Sequence, residues 1–190
     1  MPHTIVYLDD EDRYFHVFHR TPDREKLFLR SGHYLHFRRL LFDAFRRSTA
    51  ELVSYVLMPD RFHILLYQRA PGETSRVMER TCHPYEAMFG REMMRNGHPL
   101  QEAYRMIEVD SEEMVLHLSR FMHLAPVHAG LVRTPDAWPY SDYRAAVGIE
   151  QSGIETHPAV VSSAGGPEEY RRFVAQYRDE ERKRIARYLY

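Results

Sequence analysis

Glu51-Leu52-Val53-Ser54-Tyr55-Val56-Leu57-Met58-Pro59-Asp60-Arg61-Phe62-His63-Ile64-Leu65-Leu66-Tyr67 is the stretch on which the fold turns. Two runs of β-branched, aromatic and aliphatic residues flank Met58-Pro59-Asp60, where proline presets a turn. The segment reads as a strand over Glu51–Leu57, a tight reversal, and a second strand over Arg61–Tyr67. Successive side chains of a strand point to opposite faces, so Arg61 and His63, two apart, share one.

Working outward, Tyr14 to Arg20 reads as another strand, closed by a Thr21-Pro22-Asp23 turn. Leu35 to Arg47 places Phe37, Leu40, Leu41, Phe42 and Phe45 at helical spacing, with arginines on the other side. Thr74 to Phe89 has helical character, interrupted by Pro84. Asn96-Gly97-His98-Pro99 reads as a loop and Ala103 to Val109 as a further strand. Asp110-Ser111-Glu112-Glu113 carries a helix-start signature, and the helix runs on through Leu116, Phe121 and Leu124. Asp136 to Tyr143, with the single tryptophan, is a loop-rich anchor. This order predicts an α+β fold in which helices pack on an antiparallel, ferredoxin-like sheet. The expected organisation is a domain over 1–150, a polar linker over 151–166, and a charged C-terminal helix over 167–190 that opens at Gly166-Pro167-Glu168-Glu169.

The chain has 190 residues, 44% of them hydrophobic and 13% aromatic, which fits a packed globule. It contains no apolar run of the ~18–20 residues that a membrane span needs. The N-terminal stretch lacks the basic-then-apolar pattern of a secretory signal, so a cytoplasmic location is expected. Cys82 is the only cysteine, which excludes an intramolecular disulfide and a cysteine-rich zinc site. Net charge is −1, with a pI near 6.9, little for a protein coated in nucleic acid. Lys26 and Lys183 are the only lysines, however, and arginine is the better bidentate phosphate ligand. Codon usage in a GC-rich genome is the preferred account of that bias.

Three segments in order carry a resemblance. Tyr55 to Leu66 is similar to the signature of the REP-associated tyrosine transposases, members of the HUH single-strand nucleases. Phe121-Met122-His123-Leu124-Ala125-Pro126-Val127-His128-Ala129-Gly130-Leu131-Val132 resembles their second signature, and Trp138-Pro139-Tyr140-Ser141-Asp142-Tyr143 resembles the anchor that follows. The opening strand, Asp9–Arg13 and Gly97-His98-Pro99-Leu100-Gln101 fall in the family's order, so the resemblance covers roughly residues 5–148.

That resemblance implies a chemistry. In the family two histidines on one strand face hold a divalent metal that polarises the scissile phosphate. A helical tyrosine is the nucleophile that forms a 5′-phosphotyrosine link. An amide one turn later completes the metal shell. Here the first histidine position is Arg61, while the second is kept as His63. The nucleophile position is Phe121, and the position of the amide ligand is Ala125. Phenylalanine has no attacking oxygen, alanine cannot ligate, and an arginine repels a cation. The expectation is a transposase-like pseudoenzyme without an intact catalytic set, with no cofactor, or Mg²⁺ or Mn²⁺ only if the site is active.

Other residues are candidate substitutes. Tyr85 is the candidate replacement nucleophile, against its reading as an ordinary half-buried tyrosine. His63, His117 and His128 are weak candidates for a replacement metal shell, against plain surface or core histidines. Arg61 either grips the phosphate that a metal once held or pairs with a carboxylate such as Asp60 or Glu51. Tyr14, Phe15, Phe18, Phe62 and Tyr67 are stacking platforms for bases or simply core. Arg38, Arg39, Arg46 and Arg47 form a backbone-contact stripe or a solvated helix face. The run from Arg178 to Arg187 alternates in sign, as a salt-bridged solvent helix does. What the resemblance implies for partners is single-stranded or hairpin DNA, with no membrane; a homodimer is the second possibility, since related folds exchange the nucleophile helix. The competing functions are active metal-dependent nicking with non-standard residues, and a domesticated fold that serves protein interaction or oligomer formation without nucleic acid.

Overall fold

The computed structural model describes residues 11–93, Leu100 and 104–189. The strands are β1 (Arg13–Arg20), β2 (Glu51–Met58), β3 (Arg61–Gln68) and β4 (Arg105–Val109). The helices are α1 (Ser31–Phe45), α2 (Glu73–Met93), α3 (Glu112–His128), α4 (Tyr143–Ala146), α5 (Ala159–Ala164) and α6 (Pro167–Ala175). Pro22–Arg24, Pro135–Ala137 and Asp179–Tyr188 form 3-10 turns. Among the described residues no helix is long and apolar enough to cross a membrane.

The strands form one four-stranded sheet in the order β2-β3-β1-β4, with antiparallel pairing throughout. Each βαβ half leaves a gap of one strand that the other half fills, which is the expected ferredoxin-like arrangement. Both faces are covered, so the strands read as nearly continuous apolar runs. On one face α1 and α2 pack against Phe15, Val17, Phe62, Ile64 and Leu66. On the other, α3, α5, α6 and the C-terminal turn pack against Val56, Leu65 and Val109.

The β2–β3 hairpin turns over Pro59 and Asp60 as expected, and the chain after β1 pins it. The Pro59 carbonyl accepts from Leu27 N and Phe28 N, and the Asp60 carbonyl from Thr21 N. The Trp138–Tyr143 anchor caps the β2 edge: the Trp138 indole donates to the Leu57 carbonyl at 2.9 Å, and Leu57 N donates to the Tyr140 carbonyl at 2.8 Å. A strand edge that would invite pairing by another chain is thereby covered.

Several expectations need correction. Pro84 does not interrupt α2, which runs on to Met93; burial of Val77, Met78, Tyr85 and Phe89 on either side of it offsets the missing hydrogen bond. The 151–166 stretch, expected as a polar linker, also packs on the domain. Thr156 bridges to Leu52, and Ala159 and Val160 of α5 are buried against α3. Polar composition hid these two apolar anchors. Nor is 167–190 a single helix: α6 ends at Ala175 and a 3-10 segment follows. Gly165 and Gly166 both take positive φ at the α5–α6 corner, where a side chain on Gly166 would meet Glu169 at 2.9 Å. The final turn is not a solvated face, because Ile185 and Tyr188 are buried. The 96–99 loop, the Gly97–Gln101 match apart from Leu100, and Ala103, where the fourth strand was expected to begin, lie outside the described residues.

Candidate functional site

The second strand of the hairpin delivers Arg61 and His63 to the α3 face. Cross-strand register sets His63 opposite Phe18 and Arg61 opposite Arg20, and directly opposed residues share a face. Ser111 caps α3 by accepting from Met114 N at 3.3 Å. From that start the helix brings Phe121 over His63, with ring centroids 6.1 Å apart and perpendicular. Ala125 follows one turn later on the same helix and is buried. Phe121 thus stands over His63, on the strand that also carries Arg61, and Ala125 lies one turn further along the helix.

Arg61 forms a bidentate pair with Asp60, Nε–Oδ1 at 2.9 Å and Nη2–Oδ2 at 2.8 Å. Burial pushes the Asp60 carboxyl up, but the Arg61 hydrogen bonds and charge prevail and hold it below the usual carboxylate range. The carboxylate-pairing alternative is therefore the geometry observed, and Glu51 is engaged elsewhere, by Arg69.

His63 belongs to a chain that sequence reading missed. His16 Nδ1 lies 2.8 Å from the Tyr188 carbonyl, and His16 Nε2 lies 3.1 Å from His63 Nδ1. A carbonyl only accepts, so the His16 proton sits on Nδ1. Burial lowers His16 to about 4 and, with the charges of His16 and Arg61, takes His63 well below the ordinary imidazole value. Both rings are neutral at pH 7. His16 Nε2 then accepts from His63 Nδ1–H, which leaves the lone pair on His63 Nε2 bare. The signal for His16 was its place two residues before Phe18 on β1; nothing local pointed to Tyr188.

The C-terminal turn lies along α3 beside this chain. Arg120, 2% exposed on α3, pairs with Glu181 and stacks on Phe173 at 3.8 Å. Arg182 sits over the Phe121 ring at 5.8 Å. Arg187 and the Tyr188 hydroxyl both engage Asp110.

On the β2 side of α3 a second network closes on itself. Asp142 Oδ1 accepts from Tyr55 N at 2.7 Å, Ser54 Oγ at 2.9 Å and His123 Nε2 at 3.0 Å. His123 Nδ1 meets the Tyr170 hydroxyl at 2.7 Å. Ser54, His123 and Tyr170 are fully buried, and serine and aspartate meet the same ring nitrogen. This is a structural tie between β2, α3, α6 and the anchor.

Two candidate sets come apart. Tyr85 is fully buried on the α1–α2 face, its hydroxyl donates to the Leu27 carbonyl at 2.6 Å, and burial raises its pKa. The whole sheet separates it from His63, so it is no substitute nucleophile. The replacement metal shell does not assemble either. His117 has Arg120 at 3.0 Å on Nδ1 and Arg184 at 3.1 Å on Nε2, and His128 packs its ring on Tyr177 at 5.2 Å. Among the described residues no group of three histidine, cysteine or acidic side chains could hold a metal ion. One histidine beside an arginine and an alanine does not fit a divalent cation.

The arginine stripe runs along α1 and just past its end, across the sheet from His63. Arg39, Arg46 and Arg47 are exposed; Arg46 pairs with Asp43 and the Gly153 carbonyl. Arg38 is half-buried, its guanidinium beside the Tyr55 hydroxyl. Of the proposed aromatic platforms, Phe15 and Phe62 are core, Phe18 stacks on His16 and His63, and Tyr14 and Tyr67 pack with His157.

A solved structure of a REP-associated tyrosine transposase bound to a REP hairpin superposes on this chain with a TM-score of 0.58. The match covers 83% of this chain and 94% of that one, at 14% identity. The fold is that of a REP-associated tyrosine transposase. No protein-family model matches the chain, and no curated protein matches it. At this identity the likeness speaks for the transposase fold, while the residues at the centre speak for themselves.

Proposed function

We propose that this transposase-like protein binds structured single-stranded DNA, a hairpin with unpaired flanks, and does not cut it. One observation carries the reading: where a nucleophilic oxygen is needed over His63, a phenyl ring stands instead. Arg61 and Ala125 beside it remove two of the three donors that a metal would use. The fold neighbour was solved with a REP hairpin, and the arginine-rich surface of α1 supplies backbone contacts of the kind that hold nucleic acid without reading its sequence.

The test is fluorescence anisotropy of a labelled hairpin with single-stranded flanks at ~50 and ~200 mM salt, with duplex DNA as control. A parallel gel with Mg²⁺ or Mn²⁺ reads cutting. Hairpin-selective binding that weakens with salt, without a nick, is the expected result. No binding at either salt would move the protein to a protein-interaction role, in line with its net charge of −1. A metal-dependent nick would refute the silent site.

A further inference from the structure

Away from the degenerate centre, α3, α4 and α6 enclose a space of about 460 Å³ that hairpin binding does not use. A cavity of this size lies within the range of small-molecule sites. Its floor is apolar, for Leu124 of α3 and Val174 of α6 are buried there. Tyr143, the first residue of α4, joins them at 5% exposed. The closed network around Asp142 fixes the start of α4. His123 meets the Tyr143 ring edge-on at 5.3 Å, which holds the phenol in place.

Three polar groups line this space without a full complement of partners. The Tyr143 hydroxyl makes no hydrogen bond among the described residues. Burial raises its pKa, so at pH 7 it stays protonated and is able to donate. Arg171 lies three and four residues before Val174 and Ala175 on α6, and so shares their side of the helix. Its ion pair with Glu168 is long, at 3.9 Å, and its Nη2 donates to the Val147 carbonyl at 3.3 Å. Asp136, exposed in the Pro135–Ala137 turn, makes no ion pair among the described residues. Both charges act on the Tyr143 hydroxyl, with opposite effect, yet they are not paired with one another. An anion alone would meet the charge of Asp136, and a cation alone that of Arg171. A small molecule that carries both charges answers both.

We propose that this cavity binds a free α-amino acid with an apolar side chain: its carboxylate on Arg171 and the Tyr143 hydroxyl, its ammonium on Asp136, and its side chain on Leu124 and Val174. The planar fork of arginine matches a carboxylate, and charge assistance strengthens both polar contacts. The apolar floor rewards an aliphatic or aromatic side chain over a polar one. Ile149, 46% exposed beside the floor, gives that side chain further apolar surface to cover. The site is independent of nucleic acid and does not rest on hairpin binding.

Isothermal titration calorimetry of the full chain with L-leucine and L-phenylalanine tests this. Glycine lacks the side chain, the N-acetyl form of each amino acid lacks the ammonium, and the amide form lacks the carboxylate. At least one of the two free amino acids is expected to saturate the protein with a Kd below ~1 mM, with glycine and its own blocked forms about tenfold weaker or more. Asp136→Asn and Arg171→Gln, both at exposed positions and checked for folding by circular dichroism, separate the two charges. Asp136→Asn is expected to bind the free and N-acetyl forms within about threefold of each other, and Arg171→Gln the free and amide forms likewise, because the group that tells them apart is gone. Absence of saturable binding by either amino acid up to ~10 mM overturns the proposal. So does binding that the blocked forms share, or a discrimination that survives in both variants. Each of these failures leaves hairpin binding standing.

Discussion

Two histidine-centred clusters lie against α3, and they behave in opposite ways. One surrounds His123 of the helix itself; the other surrounds His63 of β3, which Phe121 covers from two residues earlier in the helix. His123 points toward β2 into a network in which Asp142, Ser54, Tyr55 N and Tyr170 answer one another inside the core. His63, beneath Phe121, ends a chain of neutral rings in a bare nitrogen. A closed polar network specifies geometry, and an open one faces a ligand. The difference teaches which half of the site is scaffold: the closed cluster keeps α3 in register with β2, and so holds Phe121 over His63.

The sharpest way to break that contrast is Asp142→Ala. It leaves three buried donors facing one lost oxygen, and a loss of about 3–5 kcal/mol is expected, read as a fall in the denaturant midpoint. A comparable stability for the variant would mean that the cluster is no tie at all.

The open cluster should announce itself through pH. Unfolded His16 takes a proton near the ordinary imidazole value, but folded His16 resists until about 4. Stability is therefore complete above pH ~6.5 and is lost as pH falls through that window, by on the order of 3 kcal/mol for His16 alone. His63, shifted in the same direction, adds to the slope. Urea melts at pH 7, 6 and 5 measure it, and His16→Phe should flatten the dependence. A flat profile in the parent protein would remove the neutral-chain argument.

A smaller effect comes from the opposite face. Tyr85→Phe removes the bond to the Leu27 carbonyl and should cost about 1 kcal/mol of stability, with no change in hairpin affinity. Altered binding would return Tyr85 to the site. Phe121→Tyr, which restores only the hydroxyl, should yield no metal-dependent cutting on a gel, because Arg61 and Ala125 still supply no ligand. The smallest effect belongs to the α1 stripe. Arg39→Ala and Arg47→Ala should each weaken hairpin binding alike for all sequences and reduce the salt slope by about one unit.

Much of this was legible in local sequence. Strand alternation in Arg61–Tyr67 put Arg61 and His63 on one face, and helical spacing put Ala125 one turn after Phe121; both hold because backbone periodicity is local physics. The segment after 150 was misread for a physical reason. Its order comes from a few residues, Thr156, Ala159, Val160, Ile185 and Tyr188, whose partners lie far away in the chain. His16 escaped notice because a histidine in an aromatic strand looks like any core residue until its ring partners are known.

The sequence by itself determined the element order as far as α3, the antiparallel α+β class and the absence of an attacking oxygen or a metal donor at Arg61, Phe121 and Ala125, since a residue's functional groups do not depend on its surroundings. Tertiary structure alone decided that Arg61 pairs with Asp60, that Tyr85 lies beyond the sheet, and that the carbonyl of Tyr188 sets the tautomer of His63 through His16. Those are matters of distance and burial between residues up to 172 positions apart, and no local pattern encodes them.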